Sequence, residues 1–442
     1  MFTIRDPSLS AEDRPSDSKP DQHSERNQHP PVAGDGRAVP GAQGLSHSET
    51  ADGPPVSLPT DVAGNQLWLF GDTSRYIEFL LADIRTARSR IWIEVYILAA
   101  DHFGRQVIEA LTERAANGVE VRVMYDAVGS LGLTDDLLQP LIEAGGQVVL
   151  FGPILSNLLR WDLLTGRAFS RLNRRNHRKL VAIDDRIGYF GGMNLVDAGD
   201  PPRAQLKMLA SEGWRDAHVR VIGPLVTEIA LAEDRLWRRI AGRKKVFWPG
   251  WNIEQDLSSR GDLARLYDSF PAIAFRRPQR LLVPLIRKAK RRIVVAMAYF
   301  VPLGPVLKEL VDARRRGVEI DVIVPGRSDV IVVQAATRYF YRQLLNWGIR
   351  IHERQDRMLH SKLLVVDEEW TVVGSCNLDP RSFLYNLEIM GLFRSTAFCR
   401  AATQLVQDDL DQSVAITAEH CRSQSWLWRL FDRLAWSLRR WL

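Results

Sequence analysis

The sequence predicts an α/β fold built twice, as two related α/β halves packed about a pseudo-twofold axis with the chemistry at the seam between them. Three internal repeats lead to this. His177-x-Lys179-x4-Asp184 recurs as His360-x-Lys362-x4-Asp367, and each copy runs on to a small pair and an Asn, Gly191-Gly192-Met193-Asn194 and Gly374-Ser375-Cys376-Asn377. Ile84-Arg85-Thr86-Ala87-Arg88-Ser89-Arg90-Ile91 parallels Ile286-Arg287-Lys288-Ala289-Lys290-Arg291-Arg292-Ile293, and Gly118-Val119-Glu120-Val121 parallels Gly317-Val318-Glu319-Ile320. One H-x-K-x4-D arises by chance at on the order of one position in ten thousand and is weak evidence, whereas two with the same downstream spacing are strong.

The elements follow in order. Residues 1–58 are rich in Ser, Pro, Gly, Asp and Gln with few large apolar side chains, so this extension is expected to be disordered. It lacks the apolar stretch of a secretory signal, and its acids argue against a transit peptide. It carries 5 Lys+Arg against 9 Asp+Glu, which leaves the rest of the chain at +10 from a total of +6. The first half, 59–245, reads helix, strand, helix, strand, then a hairpin; the second half, 246–415, reads the same way. Such alternation argues for sheets with helices on their faces. Within the first half, the stretch from Leu150 to Leu172 is apolar and lies next to the hairpin, where it suits an acyl-chain entrance. Residues 416–442 form an amphipathic Trp/Arg-rich helix. Leu427, Leu430, Phe431, Leu434, Leu438 and Trp441 share one stripe, with Arg429, Asp432, Arg433 and Arg440 opposite.

In each hairpin, HRKLVAID and HSKLLVVD read as leading strands and IGYFGGMN and TVVGSCN as return strands. With the first turn centred between residues 185 and 186, Asn194 falls opposite His177 and Gly192 opposite Lys179; likewise Asn377 faces His360 and Ser375 faces Lys362. The small residues opposite each Lys would clear space for a ligand. His and Lys, two apart, share a strand face, but each motif Asp lies about 23 Å further along at roughly 3.3 Å per residue. Asp184 and Asp367 therefore read as turn or strand-end anchors, and any carboxylate orienting the histidines must come from elsewhere.

A His, a Lys and an Asn on each of two hairpins make a cationic, donor-rich site suited to a phosphodiester. Two histidines permit a double displacement, in which one attacks phosphorus and the other handles the protons. That chemistry needs no metal, and the sequence offers no convincing metal site. Only 3 Cys occur, too dispersed for a disulfide framework, which points to a reducing compartment. No segment is apolar and long enough to span a bilayer, so membrane contact is expected to be peripheral.

The duplicated H-x-K-x4-D-x6-G-[GS]-x-N pattern resembles the phospholipase D superfamily. IWIEVYIL (91–98), WRDAHVRVIGP (214–224), Tyr299-Phe300-Val301-Pro302 and NLDPRSFLYNLEI (377–389) are similar to its bacterial cardiolipin synthase branch, and the lack of membrane spans favours that branch's B type. The resemblance implies transfer of a phosphatidyl group from phosphatidylglycerol to a second phospholipid through a phosphohistidine, with no cofactor. It implies a catalytic set of His177, Lys179, Asp184, His360, Lys362 and Asp367, with His177 the nucleophile and His360 the acid/base. It adds Asp216 and Glu388 as the orienting carboxylates, with Asn194, Asn377 and Ser375 as substrate-binding or orienting residues. His218, beside Asp216, reads as structural. The partner implied is an anionic phospholipid membrane of phosphatidylglycerol and cardiolipin, met peripherally on the cytoplasmic face of the bacterial cell membrane. A hydrolytic phospholipase D is the alternative. A nuclease of the same superfamily is disfavoured by the apolar terminal helix and loop, so nucleic acid is not the expected partner.

Overall fold

The structure is a computed structural model that describes residues 58–438 apart from 154–172, 198–212, 242–245, 247, 249, 271–276 and 303. The extension expected to be disordered lies, but for Leu58, outside the described residues, as does the apolar loop from residue 154 to 172. The described residues form one compact unit.

The first half contains β1 (Thr60–Val62), β2 (Asn65–Asp72), α1 (Thr73–Thr86), β3 (Arg90–Val95), α2 (His102–Ala116), β4 (Glu120–Asp126), α3 (Asp135–Glu143) and β5 (Gln147–Phe151). The hairpin β6 (Leu180–Ile183) and β7 (Ile187–Gly191) follows, then β8 (Trp214–Ile222) and α4 (Leu225–Ile240). The second half repeats the plan with α5 (Ile253–Ser258), β9 (Leu263–Ser269), α6 (Gln279–Lys288), β10 (Arg292–Met297), α7 (Gly304–Arg315), β11 (Glu319–Pro325), α8 (Ile331–Asn346), β12 (Arg350–Arg354) and β13 (Met358–Leu359). Its hairpin β14 (Lys362–Val366) and β15 (Trp370–Gly374) leads to α9 (Pro380–Leu384), β16 (Glu388–Arg394), α10 (Thr396–Asp411) and β17 (Ser413–Ala415). The helices α11 (Ala418–Ser423) and α12 (Trp426–Ser437) end the described chain.

Sheet order makes the duplication explicit. The first sheet runs β1-β2-β8-β7-β6-β3-β4-β5 and the second β17-β12-β11-β10-β14-β15-β16-β9, so β2-β8-β7-β6-β3-β4-β5 and β9-β16-β15-β14-β10-β11-β12 are one path. Strands β3, β4 and β5 are parallel, as are β10, β11 and β12, while the hairpins join antiparallel. The central strands are apolar on both faces because helices and the opposite sheet cover them. Each half holds one more helix–strand unit than the sequence pattern shows, α3–β5 and α8–β12. The first is weakly patterned: α3 is 9 residues long with Pro140 inside it, and of β5 only Phe151 is buried.

The two sheets share a core. Phe190 on β7 stacks on Phe393 on β16 with centroids 6.1 Å apart, and a Cβ on Gly391 would lie 2.5 Å from Phe190, so only glycine lets the strands approach this closely. Asp409 on α10, fully buried, binds Arg215 of the first half at 3.1 Å and also Arg354 of the second. Removing that carboxylate would take the ion-pair partner from the buried Arg215, whereas Arg354 would keep Asp356 at 2.7 Å and 2.8 Å.

The hairpin register differs by one residue from the expected one. Ile183 pairs with Ile187 and Val366 with Trp370, so the first turn is centred on residue 185 and the ladder places Lys179 opposite Gly191 and Lys362 opposite Gly374. The cause is in the turns, where Asp184, Asp185, Asp367 and Glu368 all take positive φ, 51–56°, and the chain needs one residue fewer to reverse. Asp tolerates this region better than most residues because its short side chain bonds locally.

Candidate active site

The reactive ends of both hairpins are held by the opposite half. Beyond β6 the leading chain leaves its own ladder: His177 N donates to Leu387 O at 3.0 Å and Leu387 N to Arg175 O at 2.9 Å. The mirror contact is His360 N to Arg215 O at 2.7 Å, next to β13, which pairs with β8. Each histidine backbone is thus bonded to the strand that carries an acid in the other half.

The side chains cross in the same way. His177 Nδ1 lies 3.1 Å from Glu388 Oε2 and 3.1 Å from the Ser375 carbonyl. The carbonyl can only accept, so Nδ1 carries the proton and Nε2 keeps its lone pair. His360 Nδ1 lies 2.6 Å from Asp216 Oδ2, which fixes the same tautomer. Glu388 is braced by Ser375 Oγ and by Asn386 Nδ2, and Asp216 by Ala217 N at 2.7 Å. Aromatic walls complete the seats: Tyr96 lies 4.9 Å from the His177 ring, and Trp214 and Tyr299 lie 4.9 Å and 6.4 Å from that of His360.

Lys179 and Lys362 are almost fully buried, each with Nζ turned back on the carbonyl of its own motif histidine. Lys179 also faces the Tyr96 ring, at 5.2 Å, and Lys362 Nζ lies 3.2 Å from His360 Nε2. Burial, with Lys362 adding to it, pulls Lys179 down to about 7 despite Glu388. Burial lowers Lys362 as well, while Asp216 and Glu388 oppose the shift. Burial and then the charges of Lys179, Lys362 and His360 hold His177 well below the ordinary imidazole value. An anion entering between these groups would relieve all of this repulsion.

The two carboxylates differ. Burial raises Glu388 to about 7, only partly offset by Lys179 and Ser375. Asp216 ends below the ordinary value, since Lys362 and His360 together outweigh its burial. The His360 seat therefore holds a full negative charge, whereas the His177 seat lies close to neutral.

Three expectations need correction or refinement. Asp184 and Asp367 do not belong with the catalytic groups. Asp184 accepts from the backbone of Arg88, Ser89 and Arg90 at 2.7–3.0 Å, and Asp367 from Lys290, Arg291 and Arg292 at 2.7–2.9 Å. Each pins a hairpin turn to the repeated helix–strand junction. The small residues make room for carboxylates rather than for a ligand, since a Cβ on Gly192 would lie 2.1 Å from Asp216 Oδ1 and Ser375 bonds Glu388. Asn194 Oδ1 is taken by Ile97 N at 3.0 Å, while Asn377 Oδ1 is a buried acceptor with no hydrogen-bond partner among the described residues. His218 accepts from Met193 N, packs 4.3 Å from Tyr76 and is pulled by burial down to about 3.

Tyr96, Trp214, Tyr299 and Asn386 are the contacts that sequence reasoning passed over. All but Asn386 lie at the ends of the apolar runs preceding or following the motifs, a position that could have flagged them. Which acid serves which histidine is set by tertiary pairing and has no sequence signal.

The C-terminal helix also departs from its expected faces. Phe431, Asp432, Ala435 and Trp436 turn inward, with Trp436 stacked 5.0 Å from Phe340 and Asp432 receiving Gln424 Nε2. Leu427, Leu430, Leu434 and Leu438 face outward, 48–60% exposed. The expected stripe is divided because Phe431 fits the groove of α8 and the leucines do not; Arg440 and Trp441 lie outside the described residues.

Comparison with known proteins follows this geometry. The family described as "Cardiolipin synthase, PLD-like domain" matches residues 80–199 and 282–410, one stretch in each half. The chain is 32% identical over 376 residues to "Cardiolipin synthase A" of Pseudomonas entomophila, covering 85% of this chain and 74% of that one. It is 31% identical over 372 residues to a "Cardiolipin synthase" of Staphylococcus aureus, covering 84% and 72%. A relative with the A designation thus matches a chain whose apparent lack of spans favoured the B type. Among solved structures, the phosphatidylserine synthase of Haemophilus influenzae superposes with a TM-score of 0.64 at 14% identity, covering 85% of this chain and 93% of that one, a likeness of fold.

Proposed function

The chain belongs to the phospholipase D-like cardiolipin synthase family, and from that membership we propose how its two halves divide the work of a phosphatidyltransferase that makes cardiolipin. The observation carrying the division is the crossed pairing of His177 with Glu388 and His360 with Asp216.

His177 Nε2 attacks the phosphorus of phosphatidylglycerol. The P–O bond to glycerol breaks, and protonated His360 gives its Nε2 proton to the leaving oxygen. The acceptor's hydroxyl then loses its proton to His360, its oxygen bonds phosphorus, and the P–N bond breaks with its electron pair returning to His177. His360 must carry a positive charge for half of this cycle beside Lys362, which requires the ionised Asp216. His177 must start neutral, and the surrounding charges keep it so. Lys179 and Lys362 face the spread negative charge of the transition state, where preorganised donors have their largest effect. Asn377 Oδ1 remains available to a hydroxyl of the substrate.

The enzyme meets its lipids on the cytoplasmic face of the bacterial membrane. No helix among the described residues is long and apolar enough to cross a bilayer. The exposed leucines of α12, flanked by Trp426, Trp428, Arg429 and Arg433, suit the interface of an anionic surface.

The test is incubation with glycerol-labelled phosphatidylglycerol in vesicles, followed by lipid mass spectrometry. Cardiolipin with released glycerol is expected; phosphatidic acid as the sole lipid product would replace transfer by hydrolysis. Leu430→Asp with Leu434→Asp should cut vesicle binding roughly tenfold or more by adding charges to the seated face, with thermal unfolding little changed. Unaltered binding would remove α12 from the membrane contact.

A further inference from the structure

The two halves differ at one matched position beside the site. Counting from the shared Gly118-Val119 and Gly317-Val318, Ser130 of the first half corresponds to Asp329 of the second. Ser130 is buried and closes on its own half, taking Leu98 N at 3.0 Å and donating to Tyr96 O at 3.3 Å. Asp329 is partly exposed, and its two oxygens share the Tyr299 hydroxyl at 2.7 Å and 2.9 Å. Tyr299 stands edge-on to His360, and the Asp329 charge is among those that raise both His360 and Lys362. The next two residues, Val330 and Ile331, are exposed large apolar side chains. On its other flank Tyr299 packs in one cluster with Val333, Ala336, Phe431 and Trp436, beneath the outward face of α12.

A carboxylate at this place is unexpected if only phosphate is to be bound, since it repels an anion. It suits a polyol. A carboxylate offers about four acceptor positions, and here the single Tyr299 proton is shared between its two oxygens while Ser328 Oγ donates to Oδ1 at 3.4 Å, so a hydroxyl donor still finds a partner there. The exposed Val330 and Ile331 supply the apolar approach that a lipid needs. Among the described residues of the first half, where the matched Ser130 is closed in, no such combination occurs.

We propose that Asp329, braced by Tyr299, is the acceptor-headgroup subsite: it takes a hydrogen bond from one hydroxyl of a glycerol headgroup while the neighbouring hydroxyl is presented to His360. This rests on the phosphatidyl-transfer reading above. The presented hydroxyl gives its proton to His360 Nε2 and its oxygen bonds the phosphorus held on His177, whose P–N bond breaks. Water has no second hydroxyl through which Asp329 could anchor it apart from its attacking oxygen. The subsite therefore favours transfer over hydrolysis.

The experiment separates the two half-reactions. A short-chain phosphatidyl p-nitrophenol serves as donor, with phosphatidylglycerol vesicles as acceptor. Asp329→Ala should largely keep the p-nitrophenol burst, because this leaving group needs no proton and the carboxylate touches no reacting atom of the donor step. Its KM for phosphatidylglycerol should rise roughly tenfold or more, and phosphatidic acid should grow at the expense of cardiolipin, as expected from losing a hydrogen bond to a charged group. Asp329→Glu should recover part of the shift. An unchanged acceptor KM and product ratio would overturn the subsite, as would a burst that falls as far as transfer does, which would make Asp329 a support for His360. If the Ala variant does not fold, Tyr299→Phe, which removes only the brace, must show the same direction of change or the proposal fails. Wild-type protein yielding phosphatidic acid alone would overturn the transfer reading itself, and the subsite with it.

Discussion

The seats of the two histidines have one backbone plan and unlike surroundings. His177 shares its Nδ1 proton between a carbonyl and Glu388, which burial has lifted to about 7; His360 donates its Nδ1–H to Asp216, whose carboxyl Lys362 and the hydrogen-bonded His360 hold below its ordinary value. Duplication alone would make two equal nucleophiles. Burial and lysine charge lower both rings, but at His360 the Asp216 carboxylate opposes the shift, so a positive charge is better accepted there and the division of labour is electrostatic rather than topological.

Breaking the comparison at the carboxylates should give the largest effects. Asp216→Asn should lower kcat about 1000-fold, because the amide cannot stabilise the imidazolium at His360 and can hold the wrong tautomer. Glu388→Gln should cost only about tenfold, since an amide oxygen still accepts from His177 Nδ1. Equal losses, measured as single turnovers, would abolish the asymmetry.

Stability against pH sharpens the same contrast. The folded-state value of Glu388 is raised above its unfolded one, so the folded protein holds a proton that the unfolded chain releases between about 4.5 and 7. This contribution is complete below the lower value and lost as pH rises through the upper one. Its size is roughly 3 kcal/mol for a shift of this order. Urea unfolding at pH 5 and pH 8 should show Glu388→Gln losing less stability over the window than wild type. Asp216 is shifted the other way, so Asp216→Asn should not remove that loss.

The smallest kinetic effects belong to the motif acids. Asp184→Ala and Asp367→Ala each remove three backbone hydrogen bonds at partly exposed turns and should cost about 2 kcal/mol of stability. The folded fraction should keep kcat within about threefold, because neither acid touches a histidine. A loss of kcat near that of Asp216→Asn, with unfolding unchanged, would restore them to the catalytic set.

The duplicated α/β plan was legible because both copies of the hairpin and the helix–strand junction survive as sequence. Spacing along a strand was enough to remove Asp184 and Asp367 from contact with their own histidines. The register was not legible to one residue, because two consecutive acids in a left-handed turn shorten the connection in a way that composition does not announce. The crossing of Asp216 and Glu388 depends on β8 and β16 lying against the opposite hairpin, a contact made only after both halves fold. The inward and outward faces of α12 were confused for a related reason: Phe431 and Leu430 are equally apolar, and only the groove of α8 chooses between them.

The most direct measurement of the division of labour is the position of the covalent intermediate. His360→Ala, given a phosphatidyl p-nitrophenol whose leaving group needs no proton, should accumulate phosphatidyl on the enzyme, and peptide mass spectrometry should place it on His177. The matching His177→Ala variant should show no adduct. A phosphatidyl group found on His360, or equal labelling of both histidines in the wild-type protein, would contradict the account.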